Sequence, residues 1–323
     1  MRNALSRRKV IALCAAAGGA ALVPLGTQPR AGSEPLVEWT GISLGSVSTI
    51  RLSHPDRRAG KALLRRAVAE ARRLEAIFSL YREDTALSEL NRTGVLVGPP
   101  SELVHLLHLC DEMWRTTDGA FDASVQPIWR CYADHFSVSN ANPEGPPPQK
   151  LADAVDLTGW SNVRFNLDRI SFAHRGMALT LNGIAQGYIT DRVIEILRAD
   201  GITSSLVDMG EIRTIGNHPD GRAWQTAIDT GTPKNLTLDL VDKAVATTSA
   251  DGFRFDKNGR CNHLFNPATG HCAGARESRT VVAPAAAIAD ALSTALTFMD
   301  DNATRRALAR VPGTRLVLES AKG

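Results

Sequence analysis

The chain has 323 residues, of which 43% are hydrophobic and 22% are charged, and its formal net charge is +3. These values are ordinary for a globular enzyme, and the length suffices for one large domain or two small ones. Five basic residues precede the first acid, Glu34, and without them the net charge would be about −2. Because the remaining sequence has no long basic stripe, nucleic acid is not expected as a partner.

The N-terminus has the pattern of an export signal. Ser6-Arg7-Arg8-Lys9 is a twin-arginine pattern, followed by an apolar, alanine-rich run from Val10 to Val23. This run of 14 residues is short for a bilayer span, and a membrane anchor is the alternative. Cys14 would suggest a lipoprotein, but Leu13 stands where a small residue is expected. We predict a twin-arginine signal peptide over residues 1–31 and a periplasmic location.

The first predicted element is a strand over 42–52, where apolar and polar residues alternate. Apolar residues at helical spacing then predict a helix over 58–79, with arginines on its opposite face. Residues 88–91 are predicted to end a polar turn, and a helix follows over 101–116 with Ser101 as its N-cap. Residues 137–150 are rich in Pro, Ser and Asn, which predicts a surface loop between two lobes.

A helix over 184–200, ended by Gly201, is the next predicted element. After it we predict strands at 203–208, 223–229, 236–247, 278–283 and 316–318, and a hairpin over 253–264 with an Asn-Gly turn. Pro284 is predicted to open the last helix, which carries Asp290 and Thr294. Because strands and helices mix without regular alternation, the prediction is an α+β fold with mixed or antiparallel sheets and packed helices in two lobes.

Four cysteines lie beyond the signal segment, and in an oxidising periplasm they allow two disulfides with three possible pairings. Cys261 and Cys272 are the favoured pair because they flank a local loop. His263 and His271 lie just inside them, so a zinc site is the alternative, although the spacing matches no common zinc pattern. The other two cysteines are Cys110 and Cys131.

Asp290 and Thr294 are four residues apart, which is about one helical turn, so their oxygens project from the same face of the predicted helix. A carboxylate beside a hydroxyl forms an oxygen-only site of the kind that suits Mg²⁺ or Ca²⁺. The alternative is a buried Asp that caps a local turn, with the Thr hydroxyl bonded to its own backbone. The spacing alone leaves both interpretations open.

Several short motifs occur in a definite order along the chain. They are Leu44-Gly45-Ser46, Phe78-Ser79-Leu80-Tyr81, Ser88-Glu89-Leu90-Asn91, Asp118-Gly119-Ala120-Phe121-Asp122, the stretch from Leu181 to Tyr188, Asp208-Met209-Gly210-Glu211, the stretch from Asn262 to Gly270, and Asp290 to Thr294. Their succession resembles the FAD:protein FMN transferase family, the ApbE-like flavin transferases. The resemblance covers about residues 36–320 and implies an ApbE-like fold there.

This resemblance implies an enzyme that uses Mg²⁺ to split the pyrophosphate of FAD. The FMN phosphoryl group would pass to a threonine or serine hydroxyl of a partner protein, with release of AMP. Asp290, Thr294 and the backbone carbonyl of Gly183 would hold the metal. His263 would be the general base for the acceptor hydroxyl. The alternative for Gly183 is a glycine that only permits a turn before the helix, and the alternative for His263 is an exposed hairpin histidine.

The resemblance also implies a set of FAD contacts. The ring of Tyr81 would pack against a flavin or adenine ring, and Gly119 would let the following loop approach the nucleotide closely. Core packing or an ordinary turn is the alternative at these positions. The predicted FAD contacts are Leu44, Tyr81, Ala120, Phe121, Asp122, Thr180, Gln186 and Leu264.

Some positions depart from the family pattern. Thr180, Gln186 and Asn266 stand where charged residues are frequent, and Glu211 stands where a second glycine is common. A non-catalytic periplasmic FAD carrier is therefore the alternative function, and a solute-binding protein is a third. A twin-arginine signal on this kind of body also resembles the branch that serves nitrous oxide reductase maturation. The acceptor would then be a membrane-bound flavoprotein that faces the periplasm.

Overall fold

The computed structural model describes residues 35–43, 46–228, 236–274 and 278–320. These ranges form an α+β fold with antiparallel sheets, which confirms the predicted class. The predicted signal peptide and Leu44 lie outside the described residues. Within the described ranges, no helix combines the length and the apolar composition that a membrane crossing requires.

Eight α-helices and twelve strands occur in the described ranges. The helices are α1 Arg57–Phe78, α2 Ala86–Thr93, α3 Ser101–Thr116, α4 Gln126–His135, α5 Pro148–Asp156, α6 Ala185–Ala199, α7 Ala286–Ala295 and α8 Asp301–Ala309. The strands are β1 Leu36–Ser43, β2 Ser46–Ser53, β3 Val95–Val97, β4 Val163–Phe165, β5 Arg169–Phe172, β6 Ser205–Asp208, β7 Ile212–Ile215, β8 Trp224–Ile228, β9 Leu236–Leu240, β10 Ala244–Ser249, β11 Ser278–Ala283 and β12 Arg315–Ser320.

A seven-stranded sheet forms the centre of the fold, in the order β1-β2-β6-β7-β10-β11-β12. Each neighbouring pair of its strands is antiparallel. Two smaller sheets, β3-β5-β4 and β8-β9, complete the strands. All four residues of β6 are buried, since this strand is covered on both faces.

The main hydrophobic core lies where three helices pack against this sheet. Helix α1 packs on β1 and α6, α6 packs on β7 and α7, and α7 packs on β10 and β11. Helix α1 has the predicted apolar stripe, which includes the buried Leu63 and Leu74. Its N-terminus is capped by the carboxylate of Asp56, which accepts bonds from the N–H groups of Arg58 (2.7 Å) and Ala59 (3.2 Å). This packing places the N-termini of α6 and α7 side by side.

The predicted single strand over 42–52 is wrong, because the chain reverses within it. β1 ends at Ser43 and β2 begins at Ser46, and these two residues are antiparallel partners. Alternating residues continue on both sides of the reversal, so the pattern did not reveal it. The predicted strand over 236–247 is likewise two strands, β9 and β10, with a turn at Asp242 whose φ is 51°.

Helix starts were predicted less well than helix bodies. Ser101 makes no capping bond, and its hydroxyl instead donates to Glu102 Oε2 at 3.2 Å. Residues 88–91, which were predicted to end a polar turn, lie inside α2. Thr85 caps that helix, because its Oγ1 accepts a bond from the Ser88 N–H at 3.0 Å.

The predicted loop over 137–150 ends earlier than expected. Helix α5 begins at Pro148, whose fixed φ suits the first helical position. Pro284 does not open α7, which begins two residues later at Ala286. The hairpin over 253–264 is reduced to an isolated antiparallel bridge between Arg254 and Asn262. The division into two lobes stays a prediction.

All four cysteines in the described part of the chain are free thiols. The predicted Cys261–Cys272 disulfide is therefore not formed, and the Cys272 thiol instead donates to the Asn262 carbonyl at 3.3 Å. The zinc alternative is not supported either. Across the described ranges, no three His, Cys, Asp or Glu side chains are grouped so that they could hold a metal ion.

Candidate active site

A cleft of about 1360 Å³, including the solvent at its mouth, opens beside the N-termini of α6 and α7. Every predicted site residue that the structure describes lines this cleft, although these residues come from distant parts of the sequence. They are Tyr81, Ala120, Phe121, Asp122, Thr180, Gly183, Gln186, His263, Leu264, Asp290 and Thr294.

The three predicted metal ligands all line this cleft. Helix α7 places Asp290 and Thr294 on one face, as their spacing predicted. Gly183 lies just before α6, and a Cβ added there would be 3.1 Å from the Thr294 hydroxyl. The backbone of Gly183 is therefore in contact range of Thr294. Gly183, Asp290 and Thr294 therefore line one cleft, with Gly183 packed against the Thr294 side chain.

Asp290 is only 3% exposed, and its carboxylate has one N–H donor, that of Gly187 at 3.2 Å. Burial raises the pKa of this carboxyl to about 8; the Gly187 bond opposes the rise and the charge of Asp191 adds to it. Among the described residues, no lysine or arginine pairs with Asp290. A bound cation would supply the missing positive charge.

The donor set fits a hard divalent cation. Its donors are all oxygens, and Thr248 adds another, because its Oγ1 lies 3.2 Å from the Thr294 Oγ1 and 2.6 Å from the Ser293 Oγ. Mg²⁺ is commonly bound by one or two carboxylates, with the remaining positions filled by substrate phosphate oxygens and water. One buried carboxylate with two neutral oxygens beside an open cleft is consistent with that preference.

His263 lines the same cleft in its neutral form. Burial lowers its pKa to about 4, although the bond to the Phe253 carbonyl opposes this shift. The Nδ1 atom lies 3.2 Å from the Phe253 carbonyl oxygen, which makes Nδ1–H the donor and leaves the lone pair on Nε2. The neighbouring Asn262 braces this segment, accepting from the Leu264 N–H (3.1 Å) and donating to the Ala273 carbonyl (2.8 Å).

Two of the predicted FAD contacts are fixed by hydrogen bonds. The hydroxyl of Tyr81 accepts a bond from Asn182 Nδ2 at 3.0 Å, which holds the ring at the cleft wall. The carboxylate of Asp122 accepts from the N–H and hydroxyl of Ser124 (2.7 and 2.5 Å) and from the Trp160 N–H (3.0 Å). Asp122 therefore braces the loop that forms this wall.

Gln186 is a buried polar residue with an unused acceptor. Its Nε2 donates to the Ser46 hydroxyl at 3.0 Å, whereas Oε1 has no partner among the described residues. Gly210 lets the side chain fit, because a Cβ there would be 2.4 Å from Nε2. A buried acceptor without a donor beside the cleft is suited to an N–H or O–H group of a ligand.

Sequence reasoning missed several residues that line the cleft. The lining residues that lie outside both the family motifs and the predicted FAD contacts are Glu75, Ala123, Val125, Trp129, Thr248, Ser249 and Phe253. Thr247 and Thr248 are adjacent threonines on β10, yet the Thr247 hydroxyl bonds Thr280 and the Thr248 hydroxyl bonds α7. Nothing in the sequence distinguishes the two faces, so only the strand register identifies Thr248.

The architecture matches that of solved flavin transferases. The apo form of flavinyl transferase ApbE from Pseudomonas stutzeri superposes with a TM-score of 0.75 at 24% identity, over 91% of this chain and 94% of that one. An ApbE protein from Thermotoga maritima superposes with a TM-score of 0.73 at 26% identity, over 87% of this chain and 93% of that one. The fold is therefore the flavin transferase fold, as predicted.

Sequence comparison then identifies the family. Residues 44–318 match the ApbE family, and the chain belongs to it. The FAD:protein FMN transferase of Haemophilus influenzae is 27% identical over 248 residues, covering 71% of this chain and 70% of that protein. The enzyme of the same name from Klebsiella pneumoniae is 24% identical over 283 residues, covering 84% and 80%. The family resemblance and the prediction of a transferase enzyme are confirmed.

Proposed function

We propose that this protein is an exported, Mg²⁺-dependent FAD:protein FMN transferase. The observation that carries the proposal is that Asp290, Thr294 and Gly183 line the cleft that also contains the neutral imidazole of His263, with Gly183 next to Thr294. The name shared by the curated relatives, FAD:protein FMN transferase, supports the same reaction. Its second substrate would be a flavoprotein domain with an acceptor Thr or Ser.

In this reaction, the phosphoanhydride bond of FAD breaks and AMP leaves, while a new P–O bond joins FMN to the acceptor hydroxyl. The Asp290 carboxylate, the Thr294 hydroxyl and the Gly183 carbonyl would hold Mg²⁺. When bound, this cation neutralises the negative charge that develops on the pyrophosphate oxygens. His263 Nε2 takes the proton of the acceptor hydroxyl as that oxygen attacks phosphorus. The pKa of about 4 keeps the imidazole unprotonated at neutral pH.

The remaining cleft residues bind and orient FAD. The ring of Tyr81, held by Asn182, offers a flat surface for one of the aromatic rings of the nucleotide. Gln186 Oε1 offers an acceptor to a donor of the nucleotide. Ala120, Phe121 and Leu264 form apolar walls that exclude water from the reacting phosphate.

Export by the twin-arginine route is part of the proposal, and its support is the Arg7-Arg8 pattern with the apolar run that follows it. Such a signal accompanies proteins that fold, often with a cofactor, before export. We propose a periplasm-facing acceptor, membrane-bound as in nitrous oxide reductase maturation. Expression of the full chain with the double substitution Arg7→Lys and Arg8→Lys tests the route, because the protein should then remain in the cytoplasm.

The transfer reaction can be tested directly. The protein is incubated with FAD, Mg²⁺ and an acceptor flavoprotein domain, and the acceptor is weighed by mass spectrometry while AMP is quantified. We expect one added FMN per acceptor and one AMP per transfer. Chelation of the metal, or replacement of the acceptor hydroxyl by hydrogen, should abolish both products. Tight FAD binding without covalent product under any metal condition would instead favour the non-catalytic carrier.

A further inference from the structure

Helices α6 and α7 are joined near their N-termini by reciprocal hydrogen bonds, in which a carboxylate of each helix accepts from backbone N–H groups of the other. Asp290 of α7 accepts a bond from the Gly187 N–H in the first turn of α6, at 3.2 Å. In return Asp191, one turn further along α6, accepts bonds from the N–H groups of Ala286 (2.8 Å) and Ala287 (3.0 Å), where α7 begins. The first N–H groups of a helix have no acceptor within it, so each carboxylate satisfies donors of the other helix.

Helix α7 depends on the hydrogen bonds to Asp191 because it has no side-chain N-cap of its own. Ala285 occupies its N-cap position and makes no side-chain capping bond. The two helix ends must also approach closely, since a Cβ at Gly187 would lie 2.4 Å from the Ala286 carbonyl oxygen. The glycine at 187 and the carboxylate at 191, four residues apart, thus form one face of α6 built to receive α7.

Asp191 is itself held in place by a buried cation. Arg213 of β7 donates from one guanidinium nitrogen to Asp191 Oδ1 at 2.5 Å, and the two side chains are only 13% and 11% exposed. A buried ion pair with further hydrogen bonds to its carboxylate fixes geometry strongly, because removal of one partner leaves an uncompensated charge. The central sheet, α6 and α7 are thereby joined at a single carboxylate.

We propose that Asp191, anchored by Arg213, is the positioning residue that sets where Asp290 and Thr294 stand relative to Gly183, and thereby sets the affinity for the metal. This inference rests on the proposed function, because it takes Asp290 to be a metal ligand. The competing explanation is that Asp191 only stabilises the helix end. The two explanations predict different metal affinities. If Asp191 only caps the helix, its loss lowers the stability of the fold but leaves the metal ligands of the folded protein in place.

The test compares Asp191→Asn with a matched substitution at Asp200, the C-cap residue of the same helix. Asp200→Asn also removes a carboxylate that pairs with an arginine, but the pair with Arg66 lies at the surface, away from α7. Mn²⁺ binding to the purified chain is followed by the electron paramagnetic resonance signal of free Mn²⁺, without FAD or acceptor. We expect Asp191→Asn to weaken Mn²⁺ binding by about 10- to 100-fold, and Asp200→Asn to leave it unchanged.

Turnover gives a second readout. In Asp191→Asn the Mg²⁺ concentration for half-maximal transfer should rise, while kcat at saturating Mg²⁺ returns to within a few-fold of the wild-type value. Asp191→Glu, which keeps the carboxylate, should restore part of the affinity. If Asp191→Asn does not fold, Arg213→Gln replaces it, because it keeps the carboxylate and removes its anchor, and it should also weaken Mn²⁺ binding.

The outcomes separate the positioning role from the proposed function. Unchanged Mn²⁺ affinity in Asp191→Asn, or in Arg213→Gln where that variant is used, would overturn the positioning role and leave the metal site standing. A wild-type protein that binds no Mn²⁺, or an Asp290→Ala variant that binds it as well as wild type, would overturn both. A lower melting temperature with unchanged metal affinity would mark Asp191 as a helix cap only.

Discussion

Metal binding should depend steeply on pH, because the proposed ligand Asp290 is buried. Burial raises the pKa of this carboxyl from its ordinary value of 3.8 to about 8. In the metal-free protein the carboxyl is therefore mainly protonated at pH 7, and a cation must displace that proton to bind. Metal affinity consequently rises with pH up to the pKa of about 8 and levels off above it.

The size of the effect follows from that pKa. Each pH unit below it should weaken the apparent affinity about tenfold, so Mn²⁺ should bind about 100-fold more weakly at pH 6 than at the plateau. The neutral His263, with a pKa of about 4, does not titrate in this range. Calorimetry in two buffers with different ionisation enthalpies should show close to one proton released per Mn²⁺ bound at pH 6.

Two variants test whether the pH dependence of the Mn²⁺ affinity comes from Asp290. Asp290→Asn should bind Mn²⁺ weakly at every pH and show no slope. Glu211 is a second buried carboxyl, whose pKa is raised by burial and by the neighbouring Asp290 and Asp208, and Glu211→Gln should keep the slope. A wild-type profile that is flat between pH 6 and 8, or a slope that survives Asp290→Asn, would refute the reasoning.

Three further predictions concern the cleft and the packing of the two helices beside it. His263→Ala should slow transfer by about 10²- to 10⁴-fold with FAD affinity retained; loss of FAD binding, measured by flavin fluorescence, would make His263 a binding residue instead. Tyr81→Ala should weaken FAD binding by about 3- to 10-fold while Tyr81→Phe keeps it, and equal affinities for the two variants would contradict a ring contact. Gly187→Ala should lower the free energy of unfolding by about 1–3 kcal/mol or more, because its Cβ would lie 2.4 Å from the Ala286 carbonyl oxygen; denaturant melts that match wild type would contradict that close packing.

Helix bodies were predictable because their apolar residues recur at helical spacing. This holds for α1 and for α6, which ends near Gly201 as expected. Turns and caps were less predictable, since several residues compete for each of them. Ser101 has the side chain of an N-cap but does not cap α3, whereas Thr85 caps α2.

The candidate site could be predicted as a set of residues but not as an arrangement. The spacing of Asp290 and Thr294 fixes their common helix face, and the family motifs point to Gly183 and His263. The bond from Gly187 to Asp290 and the capping of α7 by Asp191 join residues about a hundred positions apart. Such contacts depend on how α6 and α7 pack, and no local pattern encodes that packing.

The central claim is that one divalent cation is held by Asp290, Thr294 and the Gly183 carbonyl, next to the pyrophosphate of FAD. Crystals grown with FAD and Mn²⁺, measured at an X-ray energy where manganese scatters anomalously, test it most directly. We predict an anomalous peak within about 2.0–2.4 Å of all three protein oxygens, with phosphate oxygens completing the coordination. An empty site in crystals that contain bound FAD, or FAD bound outside this cleft, would contradict the account.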